Sequence, residues 1–192
     1  MREFIICAHE APTNAEFALD DLPASGRLDL LARCLTAALL LSHDVRRSVA
    51  VWIVLGDELL VRFEGRDIRS LNPDERSSAA LLRAAIAAKR GAIGEVEANP
   101  SPGVYVRRGG LSTALSATSG RLVQLVEEGA PTAEVSVPES PVFVLSDHRE
   151  FTPAERELLT AQAAQQVSLG PRAIHADHAI AIAHNWVDTA GY

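Results

Sequence analysis

Residues 141–185, "PVFVLSDHREFTPAERELLTAQAAQQVSLGPRAIHADHAIAIAHN", decide the fold class of this chain. The short apolar runs in "PVFVLSDH" and "QVSLG" predict two buried strands. Between them, Thr152, Pro153 and Glu155 form the capping pattern with which a helix begins. A second helical pattern follows in "HADHAIAIAHN". Alternating strands and helices predict an α/β fold with a mostly parallel sheet flanked by helices.

The rest of the chain continues this alternation. Strands are predicted at "EFIICA" (3–8), at "AVWIVLG" (50–56) and at its hairpin partner "LLVRFEG" (59–65). The runs "VYVRR" (104–108) and "RLVQLVEEG" (121–129) have the profile of buried parallel strands. Two further helices are expected, one capped by Ser25 and one in which Asn72 caps, Pro73 takes the first position and Glu75 reaches back. The stretch 91–103 is the most loop-like, and we expect a single domain over residues 1–192.

Composition excludes several classes of protein. The chain has 192 residues, a net charge of -7 and 47% hydrophobic residues, which argues against a generally basic nucleic-acid binder. No signal peptide is recognisable, and the longest apolar run, "LTAALLL", is too short to span a membrane. We therefore expect a cytoplasmic protein without a membrane-spanning segment. Cys7 and Cys34 fall in a predicted strand and helix, where a reduced, buried role is the usual one.

The histidine-rich end of the chain raises the possibility of a metal site. His175, Asp177, His178 and His184 offer ligands that suit zinc. However, the stretch lacks the general-base Glu of H-E-x-x-H, and short histidine strings are weak patterns. Nucleotide-binding glycine motifs are also missing from the chain. Because ligands of parallel sheets bind beyond the carboxyl ends of strands, the loops in "LVEEGA", "VLSDH" and "VSLGPRAIH" favour a nucleoside-like ligand held by backbone groups.

Seven ordered stretches carry a resemblance to a known family: "MREFII", "LPASGRLDLLARCL", "LSHDVRR", "NPDERS", "PGVYVRRG", "PVFVLSDHREFT" and "IHADHAIAIAHN". Together they resemble the TrmY-type tRNA pseudouridine N1-methyltransferase family of archaea and its bacterial relatives, from the first residue to about residue 188. That family belongs to the SPOUT class. The resemblance implies a C-terminal trefoil knot, S-adenosylmethionine as cofactor, a homodimer and no metal, with the histidines serving packing, capping or the dimer interface.

The resemblance also assigns cofactor-binding positions. They are Leu125, Ser146, the knot loop Leu169, Gly170, Pro171, Arg172, Ala173 and Ile174, and then Ala179 in the last helix. Two of these depart from the archaeal pattern, which has a glycine in place of Ser146 and a cysteine in place of Ala179. The departures suggest the bacterial branch, and they bring any role of that thiol into question.

The implied reaction is N1-methylation of pseudouridine in tRNA, at position 54 of the T-loop, or in another structured RNA. Asp29 is the candidate to accept or polarise the N1 proton, and Arg27 the candidate to hold a phosphate or base oxygen. The alternative is that Arg27 and Asp29 form a charge pair at a helix N-terminus. Lys89 is the only lysine, so the candidate RNA contacts are arginines, which could equally be solvated side chains: Arg33, Arg46, Arg47, Arg107 and Arg108.

Two other functions remain open from the residues alone. One is a cofactor-binding SPOUT protein in which the changed positions abolish methyl transfer. The other is a metal-dependent hydrolase that uses the terminal histidines.

Overall fold

The computed structural model describes residues 1–91 and 96–190. Its centre is one eight-stranded sheet with the strand order β4-β5-β3-β2-β1-β7-β6-β8. The strands are β1 (Arg2–Ala8), β2 (Val49–Leu55), β3 (Leu59–Glu64), β4 (Ala98–Ser101), β5 (Val104–Arg108), β6 (Arg121–Pro131), β7 (Pro141–Ser146) and β8 (Gln165–Ser168). The helices are α1 (Leu28–Leu39), α2 (Glu75–Ala87), α3 (Leu111–Ala117), α4 (Pro153–Ala161) and α5 (Ala176–Asp188), with short 3₁₀ turns at Ala88–Gly91 and Thr132–Glu134. Among the described residues, no helix is both long and apolar enough to cross a membrane.

Five strands run parallel, which confirms the predicted α/β class. β1 pairs in parallel with β2 and β7, and β6 pairs in parallel with β7 and β8. β3 forms the predicted hairpin with β2. The prediction for "VYVRR" was wrong, because β5 is antiparallel to both of its neighbours, β3 and β4. Its burial alternates as it does in antiparallel strands, with Val104 and Val106 buried and Tyr105 and Arg107 half-buried.

Two predicted helix caps are placed differently in the structure. Arg27, not Ser25, precedes α1, and it has a left-handed backbone with φ 60°. The turn is forced at Gly26, where a side chain would collide with the backbone of Glu10. α2 is capped by Asp74, whose carboxylate accepts from the Ser77 N–H at 2.8 Å, whereas Asn72 was predicted.

Other local predictions fare better. The capping box of α4 is formed by Thr152 and Glu155 as predicted. The loop expected over 91–103 lies partly outside the described residues, and the part that is described contains β4, which the sequence did not reveal. α3 was also missed, since its seven residues carry no capping signal.

Helices cover both faces of the sheet. α1, α2 and α5 pack on one face in the larger hydrophobic core, and α3 and α4 pack on the other. Phe4 and Ile6 of β1 point into the first core, and Ile5 and Cys7 point into the second, because successive side chains of a strand alternate between faces. Cys7 and Cys34 are unpaired and buried, as predicted for their positions in a strand and a helix.

The direction of the strands fixes where the connecting loops lie. β1, β2, β6, β7 and β8 all end at the same edge of the sheet, which we call the carboxyl edge. β5 also ends there, because Arg108 is paired with Leu59 and Leu59 with Leu55. The residues that precede β2 lie at the opposite edge.

His184 fastens α5 to the sheet and to α1. Its ring meets Phe4 edge-on, with centroids 4.9 Å apart. Its Nε2–H donates to the carbonyl oxygen of Ala38 at 3.0 Å, and its Nδ1 accepts from the guanidinium of Arg2. Burial, reinforced by the positive charges of Arg46 and Arg2, lowers the pKa of His184 to about 4. The ring is therefore neutral and structural.

This buried ring makes stability depend on pH. In the unfolded chain His184 is protonated below its ordinary pKa of 6.5, whereas in the folded protein it is protonated only below its pKa of about 4. Its contribution is fully present above pH 6.5 and is lost as the pH falls, by up to about 1.4 kcal/mol per unit. We expect His184→Gln to lose less stability than the wild type between pH 7 and pH 5 in denaturant titrations, and His43→Gln, at an exposed position, to behave as the wild type. Equal losses in all three proteins would contradict this role.

Candidate functional site

The segments predicted to bind a cofactor meet at the carboxyl edge. Leu125 lies in β6, Ser146 ends β7, and the loop 169–174 follows β8. These three strands are neighbours in the order β7-β6-β8. The parallel sheet therefore brings together three segments that are far apart in sequence.

The loop after β8 is shaped by a tight turn. The Ser168 hydroxyl donates to the carbonyl oxygen of Gly170 at 2.9 Å. Leu169 packs against the larger core, whereas residues 171–174 are exposed. No atom lies within 4 Å of the point where a side chain would begin at Gly170. The loop thus presents open backbone at the carboxyl edge, as a cradle for a small molecule would require.

β6 leaves the ladder immediately after Leu125. Leu125 and Ala130 are both paired with Val167 of β8, so the intervening residues form a bulge. The strand can return because Gly129 has no side chain: a Cβ there would lie 2.5 Å from the Val167 backbone nitrogen. Bulges of this kind occur next to binding sites, where they redirect the chain.

Ser146 contributes a buried hydroxyl without a partner. Its Oγ makes no hydrogen bond within the described part of the chain. An unsatisfied buried polar atom costs about 1–3 kcal/mol and usually marks a missing water or ligand. Because Ser146 is paired with Cys7, its side chain lies on the face covered by α3 and α4, whereas Leu125 and Leu169 pack against the larger core. The residues present therefore fit a ligand that lies beyond the strand ends and is held by the open backbone of the loop 169–174.

Ala179 lies in the second turn of α5 and is 8% exposed. It belongs to the larger core, in which α5 packs against α1. The methyl group fills a packed position there, so a cysteine at residue 179 would also be largely enclosed.

A charge network joins the N-terminal turns of α1 and α5. Arg27 holds Asp29 with two hydrogen bonds, from Nε to Oδ1 at 3.0 Å and from Nη2 to Oδ2 at 3.1 Å. Arg33 donates to Asp29 at 3.0 Å, to Asp177 of α5 at 3.2 Å and to Glu75 of α2 at 3.2 Å. The structure therefore joins Arg27, Asp29 and Arg33, which the sequence singled out, and adds Asp177 and Glu75.

The network keeps Asp29 charged. Burial alone would raise the pKa of its carboxyl group, but hydrogen bonds from Arg27 and Arg33 outweigh burial and the pKa is lowered. Both oxygens are occupied by guanidinium donors. Asp29 is consequently a weak proton acceptor that orients Arg27.

The terminal histidines do not converge on one point. His184 is buried against β1, as described above, while His175 and His178 are exposed at the start of α5 with ring centroids 6.0 Å apart. Over residues 1–91 and 96–190, no group of three or more His, Cys, Asp or Glu side chains could hold a metal ion.

The candidate RNA-binding arginines lie at two edges. Arg46 and Arg47 precede β2, at the edge opposite the loop 169–174. Arg46 is paired with Asp188 at 2.9 Å, and Arg47 donates to the carbonyl oxygen of Gly65 at 3.2 Å. Within one chain, these two arginines do not share a cleft with the other candidates.

The other pair ends β5, at the carboxyl edge. Arg107 turns its side chain into a cavity of about 510 Å³ that three carboxylates also line, those of Glu3, Glu64 and Glu97. Arg108 is exposed and has no ion pair among the described residues. Arg107 forms no ion pair within the described part of the chain either, and its Nε is buried without a partner, so the two arginines differ in exposure.

A histidine cluster at the carboxyl edge was missed from the sequence. His9, after β1, places Nδ1 3.0 Å from Asp147 and Nε2 3.0 Å from Glu155. Although burial lowers its pKa, the hydrogen bonds to Glu155 and Asp147 raise it overall. The ring lies beside a cavity of about 310 Å³ that His9 and Glu155 line. The signal available was position, since His9 and Asp147 each follow a parallel strand.

Comparison with known proteins places this arrangement in a family. A family model described as "Putative SAM-dependent RNA methyltransferase" matches residues 1–192. A tRNA (pseudouridine(54)-N(1))-methyltransferase of Natronomonas pharaonis is 54% identical over 100% of this chain and 98% of its own. Proteins of the same name from Haloferax volcanii and Methanococcoides burtonii are 53% and 41% identical, over 100% and 98% of this chain and 98% and 96% of theirs.

A solved structure has the same fold. The crystal structure of Archaeoglobus fulgidus Nep1 bound to S-adenosylhomocysteine matches with a TM-score of 0.70 over 98% of both chains, at 13% sequence identity. At that identity the likeness concerns the fold, and it agrees with the SPOUT type that the sequence motifs implied. The full-length family match and the relatives above 50% identity show that the chain belongs to the TrmY-type family of S-adenosylmethionine-dependent RNA methyltransferases.

Proposed function

We propose that this protein transfers the methyl group of S-adenosylmethionine to N1 of pseudouridine 54 in tRNA. The observation that carries the proposal is the identity of 54% and 53% to proteins named for this reaction, over the whole chain. The carboxyl edge supports it, because the open backbone of the loop 169–174 and the charge network of α1 and α5 both lie there.

The cofactor is proposed to lie between the ends of β6 and β7 and the loop 169–174. Leu125 and Leu169 supply apolar surface, and the backbone of Gly170 through Ile174 supplies polar groups. Ser146 Oγ has no partner in the described chain, so it is available to a cofactor atom. The cofactor supplies an electrophilic methyl group on a sulfonium, and no Lewis acid is needed for its transfer. The trefoil knot remains a prediction from the family resemblance.

The protein must position the base and remove one proton. Pseudouridine carries an N1–H that uridine lacks, so only pseudouridine can be methylated at N1 in this way. Most of the acceleration is expected from alignment of N1 with the methyl carbon and sulfur in an enclosed site. Arg27 uses Nε and Nη2 on Asp29, so its Nη1 is directed to a phosphate or base oxygen of the RNA in this proposal.

Three broader statements belong to the same proposal. The chain forms one domain over residues 1–192, acts in the cytoplasm where tRNA is found, and works as a homodimer. Ile174 in the loop before α5 and Ile182 in the middle of α5 are 42% and 39% exposed, which gives this end of the molecule an apolar surface that a second copy could cover.

The reaction itself is the first test. We expect single-turnover methyl transfer to a T-loop RNA with pseudouridine at position 54, no transfer to the uridine RNA, and full activity in excess chelator. S-adenosylhomocysteine should bind without metal in calorimetry. Cofactor binding without transfer would favour the non-catalytic alternative. Loss of binding on chelation would revive a metal-dependent function, and equal methylation of uridine RNA would contradict the pseudouridine assignment.

A second test concerns the missing thiol at residue 179. Ala179 is enclosed between α5 and α1, and a thiol is a weak donor, so we expect Ala179→Cys to change the single-turnover rate less than about tenfold. Ala179→Ser places a stronger hydrogen-bond donor at the same position on a slightly smaller side chain. Activity that appears only in the cysteine variant would show that the thiol is required.

A third test separates the arginines by their edges. Arg108→Ala should weaken tRNA binding and reduce the slope of log K against log salt by about 1, because one phosphate contact is lost. Affinity for S-adenosylhomocysteine should not change. Arg47→Ala serves as the control, since its guanidinium already holds the Gly65 carbonyl. If Arg47→Ala changes the salt slope and Arg108→Ala does not, the RNA surface lies at the opposite edge.

A further inference from the structure

We propose that Asp177 is the catalytic residue that takes the N1 proton of the target pseudouridine, through its Oδ1 atom. This inference rests on the proposed function and adds a role for a residue that neither the family resemblance nor the sequence motifs singled out as catalytic. It replaces Asp29, which the sequence suggested, as the proton acceptor.

The two oxygens of Asp177 have different surroundings. Oδ2 accepts from Arg33 Nε at 3.2 Å. Oδ1 is buried and has no hydrogen-bond partner among the described residues. The residue as a whole is 8% exposed. A buried carboxylate oxygen is rarely left without a donor, so Oδ1 is expected to meet one from a bound molecule.

Asp29 does not offer the same opportunity. Its Oδ1 is held by Arg27 and its Oδ2 by both Arg27 and Arg33. To act as the base, Asp29 would first have to break its two-point contact with the Arg27 guanidinium. Asp177 has only one oxygen engaged: Oδ2 takes a single hydrogen bond, from Arg33, and lies 3.9 Å from His178 Nε2.

The position of Asp177 suits contact with both reactants. It lies in the first turn of α5, three residues after the end of the loop 169–174. Arg33 ties it to Asp29 of α1, which is two residues from Arg27. Asp177 therefore stands between the proposed cofactor loop and the proposed RNA-holding arginine.

The charge of the network favours uptake of one proton. Its two arginines, Arg27 and Arg33, face three carboxylates, so with His178 neutral the formal net charge is -1. The carboxylates are those of Asp29, Asp177 and Glu75. A proton on Asp177 brings the sum to zero. Arg33 keeps its contacts with Asp29 and Glu75 in both states, so the geometry need not change during the reaction.

The step balances as follows. The N1–H bond breaks and its electron pair stays on N1, while the proton passes to Oδ1 of Asp177. N1 forms a bond to the methyl carbon, and the carbon–sulfur bond breaks with its pair going to sulfur. The products are N1-methylpseudouridine, S-adenosylhomocysteine and a protonated Asp177, which returns its proton to water after product release.

The test is Asp177→Asn, in which the amide oxygen can still accept from Arg33. With saturating cofactor and pseudouridine RNA, we expect the single-turnover rate to fall by about 10²- to 10⁴-fold. Affinity for S-adenosylhomocysteine and the melting temperature should stay near wild type. The rate of the variant should rise about tenfold per pH unit at neutral and alkaline pH, because only N1 that is already deprotonated reacts, whereas the wild-type rate should be flatter.

Two further variants complete the experiment. Asp67→Asn makes the same chemical change at an exposed position of the opposite edge and should leave every measurement unchanged. Asp177→Glu retains an acid and should recover part of the rate together with the flatter pH profile. If Asp177→Asn does not fold, the single-turnover rate of Asp177→Glu decides, since a displaced base must lower this rate while the flatter pH profile is kept. A rate within about threefold of wild type would then overturn the inference.

The outcomes separate the two proposals. A wild-type protein that fails to methylate pseudouridine RNA overturns the proposed function and this inference with it. An active wild type with a rate in Asp177→Asn within about threefold, or with an unchanged pH profile, overturns the inference alone. A selective loss of affinity for S-adenosylmethionine would also overturn it, because Asp177 would then bind the cofactor's ammonium group.

Discussion

The parallel pairing of β1 with β2 and β7, and of β6 with β7 and β8, is the constraint on which the site depends. Parallel strands must all be entered from one edge and left at the other, so every loop that follows them collects at the carboxyl edge. The loop 169–174, Ser146, and the helix starts at Leu28 and Ala176 are together for this reason. A ligand at this edge can be reached from the first and the last thirty residues of the chain at once.

Arg33 is a second feature that organises the site. Its guanidinium contacts carboxylates of α1, α2 and α5, and so joins the three helices that cover one face of the sheet. Surface ion pairs stabilise little, but a shared and half-buried guanidinium fixes geometry, since its donors have set directions. As a result the two acids differ in their hydrogen bonding. Both oxygens of Asp29 accept hydrogen bonds, whereas Oδ1 of Asp177 accepts none from the described residues. Environments that separate two like groups in this way are a common route to distinct chemical roles.

The family resemblance predicts a glycine in place of Ser146 and a cysteine in place of Ala179, and the structure gives the two differences distinct physical meanings. Ser146 adds a hydroxyl where a glycine is typical, and the hydroxyl is buried without a partner, so it changes what a ligand meets. Ala179 removes a thiol from an enclosed position, where the methyl group still packs in the core. Neither change disturbs the charge network or the loop after β8.

The sequence by itself determined the α/β class, the capping box at Thr152 and the hairpin of β2 and β3, because these depend on local apolar periodicity and on residues a few positions apart. It also determined the family, through ordered motifs spread over the chain. It could not place the cap of α1, since the turn at Gly26 is set by contact with the Glu10 backbone. Nor could it pair His9 with Glu155 or Asp177 with Arg33, which are separated by more than 140 residues. Only the tertiary structure decided that both carboxylate oxygens of Asp29 accept hydrogen bonds and that Oδ1 of Asp177 accepts none from the described residues. Hydrogen bonding between distant segments is fixed by packing and leaves no periodic pattern in the sequence.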